Sequence, residues 1–124
     1  MMRYLMRLNV EKGSAKKADI PGYYVGAKTG TAEKVIGGRY SKTKLLTTFM
    51  AVLPSDKPRY LITVLLDEPQ AVPGTYGFAT SGWNAAPTTA KIIARVAPLL
   101  GLEPRLDLPP ADQYLLANMK QAAR

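Results

Sequence analysis

Apolar positions along this chain change period several times, and each change marks an element. Leu5, Met6 and Leu8 sit among Arg3 and Arg7, a short helical stretch over residues 2–8 that begins abruptly. Residues 11–19 are charged and hold Gly13 and Ser14, a loop. Pro21 and Gly22 signal a turn that opens a strand-forming run, Tyr23, Tyr24, Val25, Ala27 and Thr29. Gly37 and Gly38 mark the next loop. A second strand is predicted over Leu45 to Leu53, ended by Pro54, and the link from Pro54 to Pro58 is of hairpin length. The third strand, Tyr60 to Leu66, is apolar on both faces. That predicts burial on both sides, with helices over one face and further protein over the other, and few segments remain to do the covering.

A Gly- and Thr-rich loop over 70–82, holding Tyr76 and Phe78, leads to Trp83. Behind Pro87, the positions of Ile92, Ile93, Val96, Leu99 and Leu100 follow helical spacing, with Lys91 and Arg95 opposite. Pro98 predicts a kink in this helix, and Gly101 is a good stop. A Pro-rich linker, Glu103 to Pro110, precedes a weak helix over 111–123 with Leu115, Leu116 and Met119 on one side. The fold class is therefore α+β, an antiparallel sheet of about three strands with a long C-terminal helix packed on it. Residues 1–103 form the main unit and 104–124 a Pro-rich linker with a helical tail. The abrupt start and the two-sided third strand both point to a piece of something larger.

Composition narrows the chemistry. At 124 residues, 47% apolar and 21% charged, the chain can bury a core and is not disordered throughout. It has no Cys and no His, which excludes disulfides, thiolate nucleophiles, His-based acid–base chemistry and nearly all zinc or copper sites. No metal or other cofactor is expected. The net charge of +8 is lopsided: residues 1–60 hold twelve Lys and Arg against four Asp and Glu, and the remainder hold five of each. Such a field attracts anions without choosing among them. The longest apolar run is strand-length, short of the ~18 residues of a spanning helix. The start has no small-residue cleavage site, so neither a signal peptide nor an anchor is expected in this chain.

The sharpest local feature is the stretch Gly26, Ala27, Lys28, Thr29, Gly30, Thr31, Ala32. A nucleotide-binding P-loop is rejected: Gly22 and Lys28-Thr29 have the spacing, but Ala27 stands where the second glycine is required. Tyr23, Tyr24 and Val25 also favour a strand over a phosphate-cradling loop. A strand that holds Lys, Thr and Gly by chance is the plain alternative. The third reading is the Lys-Thr-Gly box of penicillin-recognising serine enzymes.

Context favours the third reading. The segments from Pro21 to Val35, Gly37 to Lys44, Thr47 to Pro69 and Gly82 to Pro104 together resemble class B penicillin-binding proteins. The resemblance is closest to the septal peptidoglycan D,D-transpeptidases of Gram-negative bacteria. Phe49 and Pro54, then Asp67, Glu68 and Pro69, then the 83–100 segment follow that family's order, while Ala51 stands where the family carries Gly.

The resemblance implies that Lys28 and Thr29 bind the carboxylate of a peptidoglycan stem peptide or a β-lactam, and that Gly30 leaves clearance. It implies that the Thr31 amide forms half of an oxyanion hole. The implied setting is the periplasmic face of the bacterial inner membrane, with the rest of the transpeptidase domain and cell-division proteins as partners and no nucleic acid.

Two further boxes of that family, Ser-x-x-Lys with the acylated serine and Ser-x-Asn, are missing in usable form. Ser14 with Lys17 and Ser41 with Lys44 fit the first by spacing only, and no Ser-x-Asn occurs. A nucleophile should open a long buried helix that fixes its oxygen; Ser14 and Ser41 lie in loop-like stretches. The chain alone is therefore expected to be inactive. The alternatives are a non-catalytic truncated remnant or a small basic nucleic-acid-binding protein, although the standard nucleic-acid signatures are absent.

Overall fold

The computed structural model describes residues 1–123; Arg124, the last residue of the predicted tail, lies outside the described residues. The order is α1 (Met2–Lys12), a 3-10 turn (Lys16–Ala18), β1 (Gly26–Ile36), β2 (Arg39–Leu53), β3 (Tyr60–Asp67), α2 (Ala85–Val96) and α3 (Ala111–Ala122). The strands form one antiparallel sheet in the order β1-β2-β3, so β1 and β3 are edges. Gly37 and Gly38, both at positive φ, turn β1 tightly into β2. These two strands run past the end of β3 as a ribbon, with Val35, Ile36 and Tyr40 exposed at its tip. Lys34 reaches Asp67 (2.5 Å) and Glu68 (3.1 Å), and Lys44 reaches Glu68 (2.9 Å), tying the ribbon to the end of β3.

The register sorts side chains onto two unlike faces. Ala27, Phe49 and Ala51 point to one face, with Ile62 and Leu66 beside them, and meet Val10 of α1 and Ala85, Ala86 and Ile93 of α2. Thr89, buried on α2, donates to the Ala85 carbonyl (2.7 Å). Asn84 caps α2 by accepting from the Ala85 N–H (2.6 Å) and holds Thr47 (3.0 Å). The opposite face carries Lys28, Gly30, Met50, Leu61 and Leu65, and no described element covers it. β3 accordingly alternates between half-buried and exposed along its length. The expected two-sided burial of β3 is corrected on one face: Leu61 is 59% and Leu65 56% exposed.

Two further expectations are corrected. The strand predicted from Tyr23 begins at Gly26, because Tyr24 adopts φ 48° and turns its ring onto the C-terminal segment. The helix after Trp83 stops at Val96, so Pro98 lies in the turn beyond it instead of kinking it. Gly101 at φ 70° does end that turn, with the Leu102 N–H bonded to the Ala97 carbonyl (3.0 Å).

The C-terminal segment packs against α1 in a second small cluster of Tyr24, Ala111 and Leu115. Polar contacts reinforce it. Glu11 accepts from the first amide of α3, at Ala111 (3.1 and 3.2 Å), a carboxylate at a helix start. Arg105 makes a bidentate pair with the buried Asp56 (3.0 and 2.7 Å). Burial opposes ionisation of Asp56, but the Arg105 hydrogen bonds outweigh it and hold the carboxyl below its usual range. Hydrogen bonds from Lys12 and Tyr4 lower Asp112 likewise.

Arg7 is the most heavily used polar side chain. It donates to Glu11 (2.9 Å), Asp19 (3.0 Å) and the Val25 carbonyl (2.9 Å), and it lies over the Tyr24 ring at 4.5 Å. Removing it leaves the buried Val25 carbonyl without its donor and takes the cation away from Glu11. Arg7→Met is expected to lower the unfolding free energy by about 3 kcal/mol, read from denaturant melts; an unchanged midpoint would refute the assignment. Because both aspartates have depressed folded pKa values, their contribution is present above their ordinary range and is lost as pH falls through the folded values. Below about pH 4, α3 amides should therefore lose hydrogen-exchange protection before those of the sheet.

Candidate functional site

The site is built on the free edge of β1. In a strand, the N–H and C=O of alternate residues point to the same side. The Val25 carbonyl accepts from Arg7, and the Ala27 carbonyl accepts from Asn9 (3.0 Å), so both are turned away from β2. By the same period, the backbone groups of Thr29 and Thr31 face the open edge. Gly26 explains how α1 comes so close: a Cβ there would meet Ser55 Oγ at 2.6 Å and the Arg7 backbone nitrogen at 3.2 Å. α1 ends at Lys12, and beyond Ala27 no described strand or helix pairs with this edge.

Lys28 leaves β1 from the bare face, is exposed, and folds its amine over the edge to donate to the Thr29 carbonyl. Among the described residues no carboxylate lies within ion-pair distance of it. Thr29 and Thr31 point the other way, into a hollow of about 340 Å3 also lined by Ser14, Lys17, Ser81 and Trp83. Thr29 Oγ1 shares a hydrogen bond with Ser14 Oγ (2.9 Å), and Thr31 Oγ1 accepts from the Ser81 N–H (3.1 Å). The Thr31 hydroxyl proton is left to donate. Gly30 lies on the bare face, where an added Cβ would come only within 3.7 Å of the Thr48 carbonyl, an ordinary contact.

The four residues singled out from sequence thus occupy one edge but two faces. Lys28 and Gly30 share the bare face, and Thr29 and Thr31 share the hollow. The arrangement can receive an extended, anionic backbone along β1, with a cation on one side and hydroxyl donors on the other. Sequence reasoning missed Ser81 and gave Trp83 no role at the site, and it considered Ser14 and Lys17 only as a nucleophile box. Ser14 lies in the loop after α1, its oxygen 3.3 Å from Asn9 Oδ1; the loop expected for Ser41 is corrected, because β2 begins at Arg39 instead of Leu45 and holds Ser41 in the ribbon with β1. The signal available for the hollow was the loop before Trp83, rich in Gly and Thr. What the sequence lacked was the proximity of that loop to β1.

Residues 1–94 match the family described as the penicillin-binding protein transpeptidase domain. The probable peptidoglycan D,D-transpeptidase FtsI of Caulobacter vibrioides is 43% identical over 116 residues, covering 86% of this chain and 20% of that protein. Stage V sporulation protein D of Bacillus subtilis is 36% identical over 104 residues, covering 84% of this chain and 15% of that protein. The chain therefore spans a fifth or less of the length of these relatives. Among solved structures, penicillin-binding protein 3 from Mycobacterium tuberculosis, complexed with ampicillin, superposes with a TM-score of 0.70 at 26% identity. That match covers 89% of this chain and 26% of the other. The transpeptidase domain of Burkholderia pseudomallei penicillin-binding protein 3 gives 0.69 at 30% identity, covering 86% of this chain and 30% of that one.

The two glycines make opposite predictions. Gly26→Ala should destabilise the chain by about 1–3 kcal/mol through the α1 contact, whereas Gly30→Ala should leave its thermal midpoint nearly unchanged. Equal losses at both positions would mean that Gly30 is held by packing within this chain.

Proposed function

The chain belongs to the transpeptidase-domain family of penicillin-binding proteins, and on that footing we propose that it is a fragment of a septal peptidoglycan D,D-transpeptidase supplying the Lys-Thr-Gly strand. The observation that carries this reading is the unpaired edge of β1, with the backbone groups of Thr29 and Thr31 turned outward and Lys28 exposed beside them. In this reading Lys28 and Thr29 bind the terminal carboxylate of a stem peptide or the carboxylate of a β-lactam. Gly30 gives the ligand room, which fits a position where this chain's own packing does not demand glycine. The Thr31 N–H donates to the oxygen that gains charge when the carbonyl is attacked, as half of an oxyanion hole.

The nucleophile comes from elsewhere in the domain. A serine attacks the D-Ala-D-Ala carbonyl, the terminal D-Ala leaves as the amine, and an amine of a second strand then displaces the serine to form the cross-link. A β-lactam intercepts the first step, its ring nitrogen being the leaving group that stays attached. Met50, Leu61 and Leu65 on the bare sheet face are the surface on which the rest of the transpeptidase domain packs. The setting is the periplasmic face of the inner membrane, in company with cell-division proteins. No helix among the described residues is long and apolar enough to cross a membrane.

Labelling with a fluorescent penicillin tests this. The 124-residue chain alone should form no covalent adduct. Joined to an upstream segment carrying Ser-x-x-Lys and Ser-x-Asn, the assembly should label on the upstream serine, and Lys28→Ala should slow labelling by about 10- to 100-fold. An adduct on the chain alone, or labelling indifferent to Lys28, would overturn the proposal.

A further inference from the structure

Lys28 is not the only cation at this edge. The hollow that receives the Thr29 and Thr31 side chains is rimmed by Lys16 and Lys17, from the 3-10 turn after α1, and by Trp83. Lys17 Nζ sits 4.4 Å from the Trp83 ring centre. The ring is itself held by Phe78, stacked at 6.0 Å, and by Tyr76, edge-on at 5.7 Å. Among the described residues neither Lys16 nor Lys17 has a carboxylate within ion-pair distance, although Lys12, Lys34 and Lys44 all do. An exposed ammonium resting on an aromatic face is held loosely, and an arriving carboxylate competes for it well. Opposite it are hydroxyls, of which Thr31 has its proton to give because it already accepts from Ser81.

We propose that Lys17 is a specificity-determining residue of the β1 site, a second cation that selects ligands bearing a carboxylate in the Thr29–Thr31 hollow. The inference rests on the reading that these threonines face the ligand's carboxylate. Trp83 orients the lysine when the hollow is empty and releases it when an anion enters. The ligand class is a peptide with a free carboxyl end, and an otherwise identical peptide amide is discriminated against.

Trp83 is the chain's one tryptophan, so its fluorescence reports directly on Lys17. The experiment titrates the chain with N-acetyl-D-alanyl-D-alanine and with its C-terminal amide, following Trp83 fluorescence and the backbone amide signals of Thr29 and Thr31. The acid is expected to change both signals and the amide neither. Lys17→Gln should weaken acid binding by about three- to tenfold and abolish the fluorescence change, and Lys17→Arg should restore binding. A thermal midpoint equal to that of the parent chain certifies the fold of each variant. Unaltered affinity in Lys17→Gln, with weakening in Lys28→Gln, overturns the role of Lys17 and leaves the proposed function standing. Weakening in Lys17→Gln but not in Lys28→Gln supports Lys17 and removes Lys28 from carboxylate binding. Acid and amide acting alike, or no change at Thr29 and Thr31, overturns both.

Discussion

The open edge of β1 depends on where α1 stops covering it. Arg7 and Asn9 satisfy the carbonyls of Val25 and Ala27, so the first residues of the strand's outer edge are closed by side chains. An unpaired buried carbonyl is costly, so that stretch could not stay open. The cover ends with the helix, and Ser14 then reaches Thr29 only through side-chain oxygens. From Thr29 onward no described strand or helix pairs with the outward backbone groups, and only the Lys28 amine, on the Thr29 carbonyl, reaches over the edge. The same guanidinium binds Glu11, which in turn holds the start of α3. One buried charge therefore ties together the helix, the strand entrance and the C-terminal segment.

The second constraint is the asymmetry of the sheet. The large buried side chains of the sheet, Phe49 and Leu53, lie on one face, under α1 and α2, and the other face keeps Met50, Leu61 and Leu65 in contact with solvent. A sheet covered on one side is stable in principle, but such sheets ordinarily place polar residues on the wet face. Leucines on both faces of β3 are therefore a mark of a missing layer. The alternation carries the lesson for the site as well. Lys28 and Thr29 are adjacent in sequence and leave the strand on opposite sides, and the Lys28 amine comes near Thr29 only by folding over the edge.

Much of this was legible beforehand. The three strands, their order and the turn residues between them follow from period and punctuation, because β-branched runs broken by Gly and Pro leave few alternatives. The misplaced boundaries have a common cause. Tyr23 and Tyr24 read as strand because aromatic residues favour strands, yet Tyr24 is spent on the distant C-terminal segment, where burial pushes its phenol up to about 12 and its hydroxyl donates to the Pro109 carbonyl. Hydrophobic spacing likewise carried the predicted helix past Val96, where Pro98 and Gly101 close a turn. The hollow was illegible for the same reason: Ser14, Thr31 and Ser81 are far apart in sequence, and only the fold brings them together.

The chemistry of the edge is one of reception, not attack. Hydroxyls, ammonium groups and outward N–H groups bind and polarise, but none of them, as arranged, withdraws a proton from a nucleophile. Ser14 is engaged with Thr29 and Asn9, and Lys17, which lines the same hollow, rests on Trp83. Stabilising an oxyanion requires only donors fixed where the charge will appear, and a strand edge is rigid enough to fix them. Activating a serine calls for a base beside it, and among the described residues no lysine amine hydrogen-bonds to a serine oxygen. The division of labour proposed for the family's boxes fits this architecture: a bare face to be covered, beside an edge to be filled.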